Sequence, residues 1–240
     1  MTDKLTLLQF RTTEEVPNFS PFCVKAEVLL KMAGIPYNIE DIDDPRGMPK
    51  GKAPVVRDGN ELIADSEFIK RHIETARGFT FDAHLSAEEK AQCHAFTKLI
   101  DERLYWALVY DRWIDEDNWP HTKEFWFGSM PFPLKYIIPG VALKSVKQNL
   151  NGHGIGRHTH DEIHTLAKSD LDAIAAQLGD KPFLFGDKPS TADASAYGVL
   201  VNLAQTTALP AKLADTIKEY PSLLEYVKRC NEHWYPSKYH

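Results

Sequence analysis

Cysteine is scarce in this sequence, and its few positions are scattered. The 240 residues include three, Cys23, Cys93 and Cys230, and no two of them form a closely spaced pair. An odd and scattered set excludes a disulfide framework and a zinc site built from four thiolates. We therefore expect all three thiols to be reduced.

A surplus of basic residues is also absent. The 28 lysines and arginines are outnumbered by 34 aspartates and glutamates, which leaves a net charge of -6. Such a chain has no overall positive field to attract a phosphate backbone. Nucleic acid is therefore not expected as a partner.

Long hydrophobic runs are missing too. The longest apolar tract covers residues 133–143, contains Lys135 and falls well short of the roughly 20 residues that a bilayer crossing requires. The stretch 1–10 lacks the basic start and long apolar run that are typical of a secretory signal. We expect no membrane span and a cytoplasmic location.

The composition that remains is that of an ordinary folded protein, with 43% hydrophobic and 26% charged residues. The length is sufficient for one large domain or two small ones. Because the hydrophobic pattern changes after a linker-like stretch at 78–85, we predict two domains, at residues 1–78 and 86–240.

The first domain shows short strands that alternate with helices. Apolar residues at three- and four-residue steps predict a helix that follows the first strand and ends at Gly34. A second helix is predicted over 65–75. This order is the succession of a thioredoxin-like α/β domain, with the first two strands parallel. The predicted strands are 5–10, 37–42, 54–56 and 62–64.

The second domain is predicted to be all α, a helical bundle. The segment 119–150 is rich in aromatic residues and is interrupted by four prolines, so we assign no helix to it. The predicted helices are 86–114, 161–178, 190–205 and 221–233.

Ser20-Pro21-Phe22-Cys23 lies where the first helix begins, a place where free backbone amides and the helix dipole favour a thiolate. Because serine replaces the first cysteine of a Cys-x-x-Cys turn, an internal disulfide cycle cannot run. The Ser20 hydroxyl can instead donate to the thiolate of another molecule. Two interpretations stay open: Ser20 is a catalytic donor, or it is an N-cap before a proline. Cys23 is either a buried core residue or a working thiol.

Two further motifs lie at element starts. Lys52-Ala53-Pro54-Val55 places a proline at the beginning of a strand, where thioredoxin-like folds use a cis proline to present the preceding backbone to a peptide-like ligand. Asp65-Ser66 opens the next helix, where backbone amides and a hydroxyl can receive a carboxylate. Helix capping alone would also explain this pair.

Together these three motifs resemble the glutathione-contacting elements of the glutathione S-transferase family, and the resemblance covers nearly the whole chain. In the second domain, residues 186–193 resemble the helix-start motif of that family, with Ser190 as cap and Asp193 closing a capping box. A narrower resemblance is to the branch that includes metaxins and failed axon connections proteins. The segments that carry it are 20–25, 34–37, 49–52, 64–66 and 154–158.

The family resemblance implies roles for individual residues. Ser20 would address the glutathione sulfur, and Ala53 would pair its backbone with the cysteinyl part of the tripeptide. Asp65 and Ser66 would hold the γ-glutamyl end, while Lys52 could reach the glycyl carboxylate. Glutathione would be the co-substrate, and no metal is implied.

Four aromatic residues on the predicted helix 86–114 are candidates for the wall of a second-substrate pocket. Glutathione transferases use this helix for their electrophile, although aromatic residues at such spacing also form helix cores. A small hydrophobic electrophile is the expected partner of glutathione. The four residues are Tyr105, Trp106, Tyr110 and Trp113.

A histidine cluster follows at 153–164. His160 and His164 would share a helical face suited to a metal, but no cysteine accompanies them and the neighbouring Gly-Ile-Gly is loop-like. We therefore expect no metal site.

The sequence leaves two classes of function. The first is an enzyme of detoxification that activates the glutathione thiol at Ser20 for attack on a small electrophile, and the family suggests a homodimer. The second is a non-catalytic, metaxin-like interaction or scaffold protein. Fold alone does not choose between them.

Overall fold

A computed structural model describes residues 4–239. The described residues exclude 1–3 and 240. These are the outer ends of the two predicted domains, and 1–3 also begin the stretch 1–10.

The first domain holds a sheet of four strands in the order β2-β1-β3-β4. Strand β1 pairs parallel with β2 and antiparallel with β3, which pairs antiparallel with β4. The strands are Leu5–Gln9 (β1), Tyr37–Asp41 (β2), Val55–Asp58 (β3) and Glu61–Ala64 (β4).

Two helices complete the first domain, Pro21–Met32 (α1) between β1 and β2 and Ser66–Arg77 (α2) after β4. Leu7 on β1 and Leu29 on α1 are fully buried in one core. Leu8, the next residue of β1, points to the other face of the sheet, as strand geometry requires, and joins a smaller buried group. The thioredoxin-like arrangement expected from the sequence is confirmed.

The second domain is helical, as predicted, and begins with three contiguous segments. The predicted helix 86–114 is not uniform, because a turn of π-helix separates α3 from α4. Its bounds and those of the later helices are Ala87–Leu99 (α3), Ile100–Leu104 (π), Tyr105–Trp113 (α4), Trp119–Phe127 (α5), Leu134–His153 (α6), His160–Leu178 (α7), Thr191–Ala204 (α8), Leu213–Ile217 (α9) and Pro221–Trp234 (α10).

Helices α5 and α6 occupy the segment that we left without a helix. Pro120 is the second residue of α5, where a missing N–H costs no intrahelical bond. Pro133 immediately precedes α6. Pro139 lies inside α6, so the surrounding residues maintain the helix despite a residue that usually ends one.

Helix α8 is almost entirely buried and packs against α1 of the first domain. Its start has the predicted capping box, in which the Asp193 carboxylate accepts hydrogen bonds from the backbone N–H and the hydroxyl of Ser190, both at 2.7 Å. The approach to α1 is close because Gly198 has no side chain: a Cβ there would lie 2.5 Å from the carbonyl oxygen of Pro21.

Polar contacts also join the two domains. The ammonium of Lys25 on α1 lies 2.6 Å from a carboxylate oxygen of Asp101, and both side chains are buried. Arg112 on α4 donates to the carbonyl of Phe19 at 3.1 Å. Because these partners are removed from water, their contacts depend on correct placement of both domains.

Within residues 4–239, none of the helices combines the length and the apolar character that a membrane crossing needs.

Candidate functional site

A cavity of about 380 Å³ lies between the two domains. Its size is within the range of small-molecule sites, roughly 300–1,000 Å³. One wall comes from the starts of α1, β3 and α2, and the other comes from α4, the π turn and α6. The lining residues are Phe10, Ser20, Phe22, Pro45, Lys50, Gly51, Lys52, Ala53, Pro54, Asp65, Ser66, Asp101, Glu102, Tyr105, Trp106, Val109, Trp113, Val146 and Asn149.

Ser20 lines this cavity at the beginning of α1, in an extended conformation that leads into Pro21. Its backbone N–H donates to Oδ1 of Asn18 at 2.9 Å. Its hydroxyl makes no capping hydrogen bond to the helix. The residue therefore has the position of an N-cap without the side-chain bond that stabilises one, and its hydroxyl is not committed to helix formation.

Cys23 lies one turn further along α1 and is fully buried. Burial raises the pKa of its thiol to about 11, although the neighbouring Ser20 hydroxyl and the Phe10 backbone oppose this shift. A thiol with this pKa is protonated at neutral pH and is not a nucleophile. The geometry therefore favours the core interpretation of Cys23.

Asp65 and Ser66 border the same cavity at the start of α2. Asp65 has φ +88° and ψ 132°, a conformation that residues with a side chain rarely adopt. Its exposed carboxylate accepts a hydrogen bond from the backbone N–H of Glu67 at 2.9 Å. Strained backbone of this kind is concentrated at ligand sites, which makes Asp65 a candidate for contact with a ligand.

Ala53 and Pro54 lie beside this pair, at the entry to β3, and the bond between them is cis. Lys52 is exposed at the rim. A second rim lysine, Lys50, was not singled out from the sequence; its ammonium lies 4.2 Å from the centre of the Phe68 ring. The cavity is thus lined by two cations as well as by the carboxylate of Asp65.

Three of the four predicted aromatic residues, Tyr105, Trp106 and Trp113, line the cavity. Tyr110 is not among the lining residues, because it lies on another side of α4, with its ring 6.3 Å from that of His160. Burial raises the pKa of Tyr105 to about 12, so its phenol is neutral and contributes apolar surface.

Phe22 extends this wall and was missed by the sequence reasoning, although it lies inside the motif 20–23. Its ring meets that of Tyr105 edge to face, 4.6 Å between centres. Val146 and Asn149 were missed because they belong to α6, where the prolines concealed the helix. The cavity therefore combines a hydroxyl and charged groups on one side with a mainly aromatic wall on the other, which also carries Asp101 and Glu102.

Two family models match the chain, and together they cover more than half of it. The glutathione S-transferase N-terminal domain matches residues 21–118, and the glutathione S-transferase C-terminal domain matches residues 167–230.

Individual relatives include a glutathione S-transferase as well as failed axon connections and metaxin proteins. Failed axon connections of Drosophila melanogaster is 29% identical across 98% of this chain, which spans 59% of that protein's length. Metaxin-2 of Homo sapiens is 25% identical across 88% of this chain and 81% of its own. The isoprene-epoxide glutathione S-transferase of a Rhodococcus species is 29% identical across 91% of this chain and 94% of its own.

Solved structures share the fold. A glutathione transferase from Phanerochaete chrysosporium superposes with a TM-score of 0.64 at 14% identity, over 95% of this chain and 98% of its own. A glutathione S-transferase of Ceriporiopsis subvermispora, solved in complex with glutathione, gives 0.60 at 18% identity, over 97% and 98%.

Proposed function

The chain belongs to the glutathione S-transferase family, and from this premise we propose that it binds glutathione and transfers it to a small hydrophobic electrophile. Glutathione carries two carboxylates, an ammonium group and a thiol. The cavity between the domains offers a partner of matching chemistry for each of them. The proposal covers substrate class and reaction type.

Binding would use the polar side of the cavity. The carboxylate of Asp65 is the partner for the ammonium of the γ-glutamyl end, and the Ser66 hydroxyl and the amides at the start of α2 receive its carboxylate. The backbone of Ala53 pairs with the cysteinyl part. Lys52 and Lys50 are within the rim that would face the glycyl carboxylate.

Activation of the thiol would come from Ser20. Its hydroxyl donates a hydrogen bond to the sulfur, which stabilises the thiolate more than the thiol and lowers the thiol pKa from about 8.5 toward neutrality. The thiolate then attacks an electrophilic carbon. A carbon–sulfur bond forms while the leaving group departs with the electrons of the broken bond, or while an epoxide opens and its oxygen takes a proton from water.

The electrophile would lie against Phe22, Tyr105, Trp106 and Trp113. Holding two reactants in contact lowers the barrier, since good orientation alone supplies about 7–11 kcal/mol in the most favourable cases. An aromatic wall selects apolar molecules without fixing their identity.

One observation carries the proposal: Ser20 lines the cavity, and its hydroxyl makes no capping hydrogen bond to the backbone of the helix that it begins. Calorimetric titration of the protein with reduced glutathione tests it. We expect one site per chain with a dissociation constant between micromolar and millimolar, about 4–8 kcal/mol. Asp65→Asn should weaken binding, because the ammonium loses its charged partner, and Asp44→Asn, at an exposed cap outside the cavity, should not. No heat at millimolar glutathione would contradict the proposal.

A second candidate function is a non-catalytic interaction protein. The metaxin and failed axon connections relatives favour it, and so does an exposed apolar patch around the start of α6, where Phe132 is 81% and Tyr136 66% exposed. Exposed apolar groups of this size mark interaction surfaces. Absence of glutathione binding together with capture of a partner by this patch would establish it.

Three further features belong to the proposal. The enzyme would act in detoxification in the cytoplasm, and it would form a two-fold homodimer, as family members commonly do. Light scattering at micromolar concentration measures the last of these. A mass of about 27 kDa, that of one chain, would contradict the dimer.

A further inference from the structure

Outside the cavity, two histidines and a buried aspartate meet where α4, α7 and the start of α9 come together. His160 and His164 begin α7, and Asp111 lies on α4. One ligand-type atom from each residue can be chosen so that all three lie within 4.8 Å of one another. None of the three lines the glutathione cavity, so this cluster is independent of the proposed function.

Spacing in the sequence explains why the two imidazoles meet. Residues four apart on a helix lie on the same face, one above the other. The rings of His160 and His164 are accordingly stacked, 4.1 Å between centres. Asp111 and Asp115 have the same four-residue spacing across from them, at the end of α4 and just beyond it. The start of α7 therefore presents two imidazoles to the two carboxylates around the end of α4.

The distances suit a small divalent ion. Nε2 of His164 lies 2.9 Å from Oδ1 of Asp111, and Nε2 of His160 lies 4.0 Å from the same oxygen. A tetrahedral zinc ion with bonds of roughly 2.0–2.1 Å separates its ligand atoms by about 3.3 Å. The observed separations lie on either side of that value, so small side-chain movements would bring the atoms into position.

The buried charge of Asp111 is a second and independent reason to expect a bound cation. The Asp111 side chain is fully buried, and a buried carboxylate needs a positive partner. Within residues 4–239, neither a lysine nor an arginine forms an ion pair with it, and the adjacent Arg112 donates to Phe19 and Asn202 instead. The contacts of its carboxylate are the two imidazoles and the backbone N–H of Leu213, 2.7 Å from Oδ2.

His160 supplies the third observation. Its Nε2 atom is buried and has no hydrogen-bond partner of good geometry. The nearest carboxylate oxygens belong to Asp115, at 3.4 Å, and Asp111. A buried ring nitrogen without a partner is costly, and an ion bound to its lone pair would remove that cost.

We propose that Asp111, His160 and His164 bind one divalent transition-metal ion. Two imidazole nitrogens and one carboxylate are a ligand set suited to zinc, with water or Asp115 in the fourth position. Asp115 is paired with Lys212 at 2.8 Å and would have to leave it to become a ligand. The hydrogen bond from Leu213 holds the outer oxygen of Asp111 and orients the carboxylate. The ion would link α4 and α7, and through Asp111 also the start of α9.

The test uses the full chain after treatment with a chelator. Titration with zinc chloride should give one site per chain and raise the melting temperature, and cobalt(II) should give the visible absorption of a four-coordinate ion. His160→Ala and His164→Gln should each weaken zinc binding by about tenfold or more. His153→Ala and His158→Ala remove nearby histidines outside the cluster and are the matched controls.

Several outcomes would overturn the proposal. No zinc or cobalt binding, or binding that is unchanged in His160→Ala, would mean that the cluster is a hydrogen-bonded group only. Should His164→Gln fold poorly, the partly exposed His160 still decides the question. Glutathione titration of His160→Ala should match that of the wild type, which keeps this test separate from the proposed transferase function.

Discussion

At the residue scale, a substitution of Ser20 distinguishes the ionisation of bound glutathione from its affinity. In Ser20→Ala, bound glutathione would lose the hydroxyl that the proposed mechanism assigns to its thiolate. The pH midpoint of thiolate absorbance should therefore rise and turnover at neutral pH should fall, while affinity at low pH stays close to that of the wild type. Ultraviolet titration of the complex measures the midpoint. A midpoint that does not move would remove Ser20 from the chemistry.

Stability provides the control for this substitution. Because the Ser20 hydroxyl makes no capping bond, Ser20→Ala should leave the free energy of unfolding nearly unchanged. Ser86 caps α3 in a full capping box, so Ser86→Ala should lower the free energy of unfolding by about 1 kcal/mol. Urea denaturation of both variants compares the two serines directly.

Asp65 allows a test of strain stored at the site. Asp65→Gly relieves a backbone conformation that costs on the order of 1–3 kcal/mol, and glycine replaces a cap residue at a cost of a few tenths. The free energy of unfolding should therefore stay the same or rise, while glutathione affinity falls. Asp44→Gly is the matched control, since Asp44 also caps a turn but has φ -127°; this variant should lose stability.

Sequence reasoning at this scale located residues correctly where a motif fixes their place: Ser20, the proline at 54 and the pair at 65 and 66 all line one cavity. Sequence reasoning leaves the roles of these residues in binding as predictions. It was less successful on the face of a helix: Tyr110 differs from Tyr105 by five residues and points elsewhere. The π turn before α4 adds to this difficulty, because it shifts the helical register between 86 and 113.

At the element scale, the strands and most helices followed from periodicity and caps. Helices α5 and α6 did not, because prolines usually end helices and the sequence does not reveal which of them lie in a first turn. Helix α9 was not predicted either, because its five residues are too few to show a helical period. Helix α8 was found, although it is buried on all sides, since its capping box marks the start.

The close packing of α8 on α1 predicts that a side chain at Gly198 destabilises the protein. Gly198→Ala places a Cβ 2.5 Å from the Pro21 carbonyl oxygen, so the helices must separate. We expect a loss of about 1–3 kcal/mol in the free energy of unfolding. Gly140→Ala in α6 meets no atom within 4 Å and should stabilise the helix by about 0.5–1 kcal/mol. Equal effects in the two variants would contradict the close approach.

At the scale of the whole molecule, the buried pair Lys25 and Asp101 couples the domains. Lys25→Met leaves a buried carboxylate without its cation and should lower the free energy of unfolding by about 3–5 kcal/mol. The double variant with Asp101→Leu should recover most of this loss, since an apolar pair needs no compensation. Chemical denaturation of the single and double variants gives the coupling energy.

A surface pair supplies the comparison. Lys218 and Asp215 lie 2.7 Å apart, close to the 2.6 Å of the buried pair, but their side chains are 68% and 83% exposed. Because water screens such a pair, Lys218→Met should change stability little. A similar loss for Lys25→Met and Lys218→Met would mean that the interdomain pair is not buried in solution.

The contact between Gly198 and Pro21 also constrains how the two domains can evolve. Ser20 immediately precedes Pro21, so its position is set by a helix of the other domain as much as by its own. A first domain exchanged between relatives would place this serine correctly only if the recipient second domain brought a residue without a side chain to the position of Gly198. The two halves therefore have to diverge together, as one heritable unit.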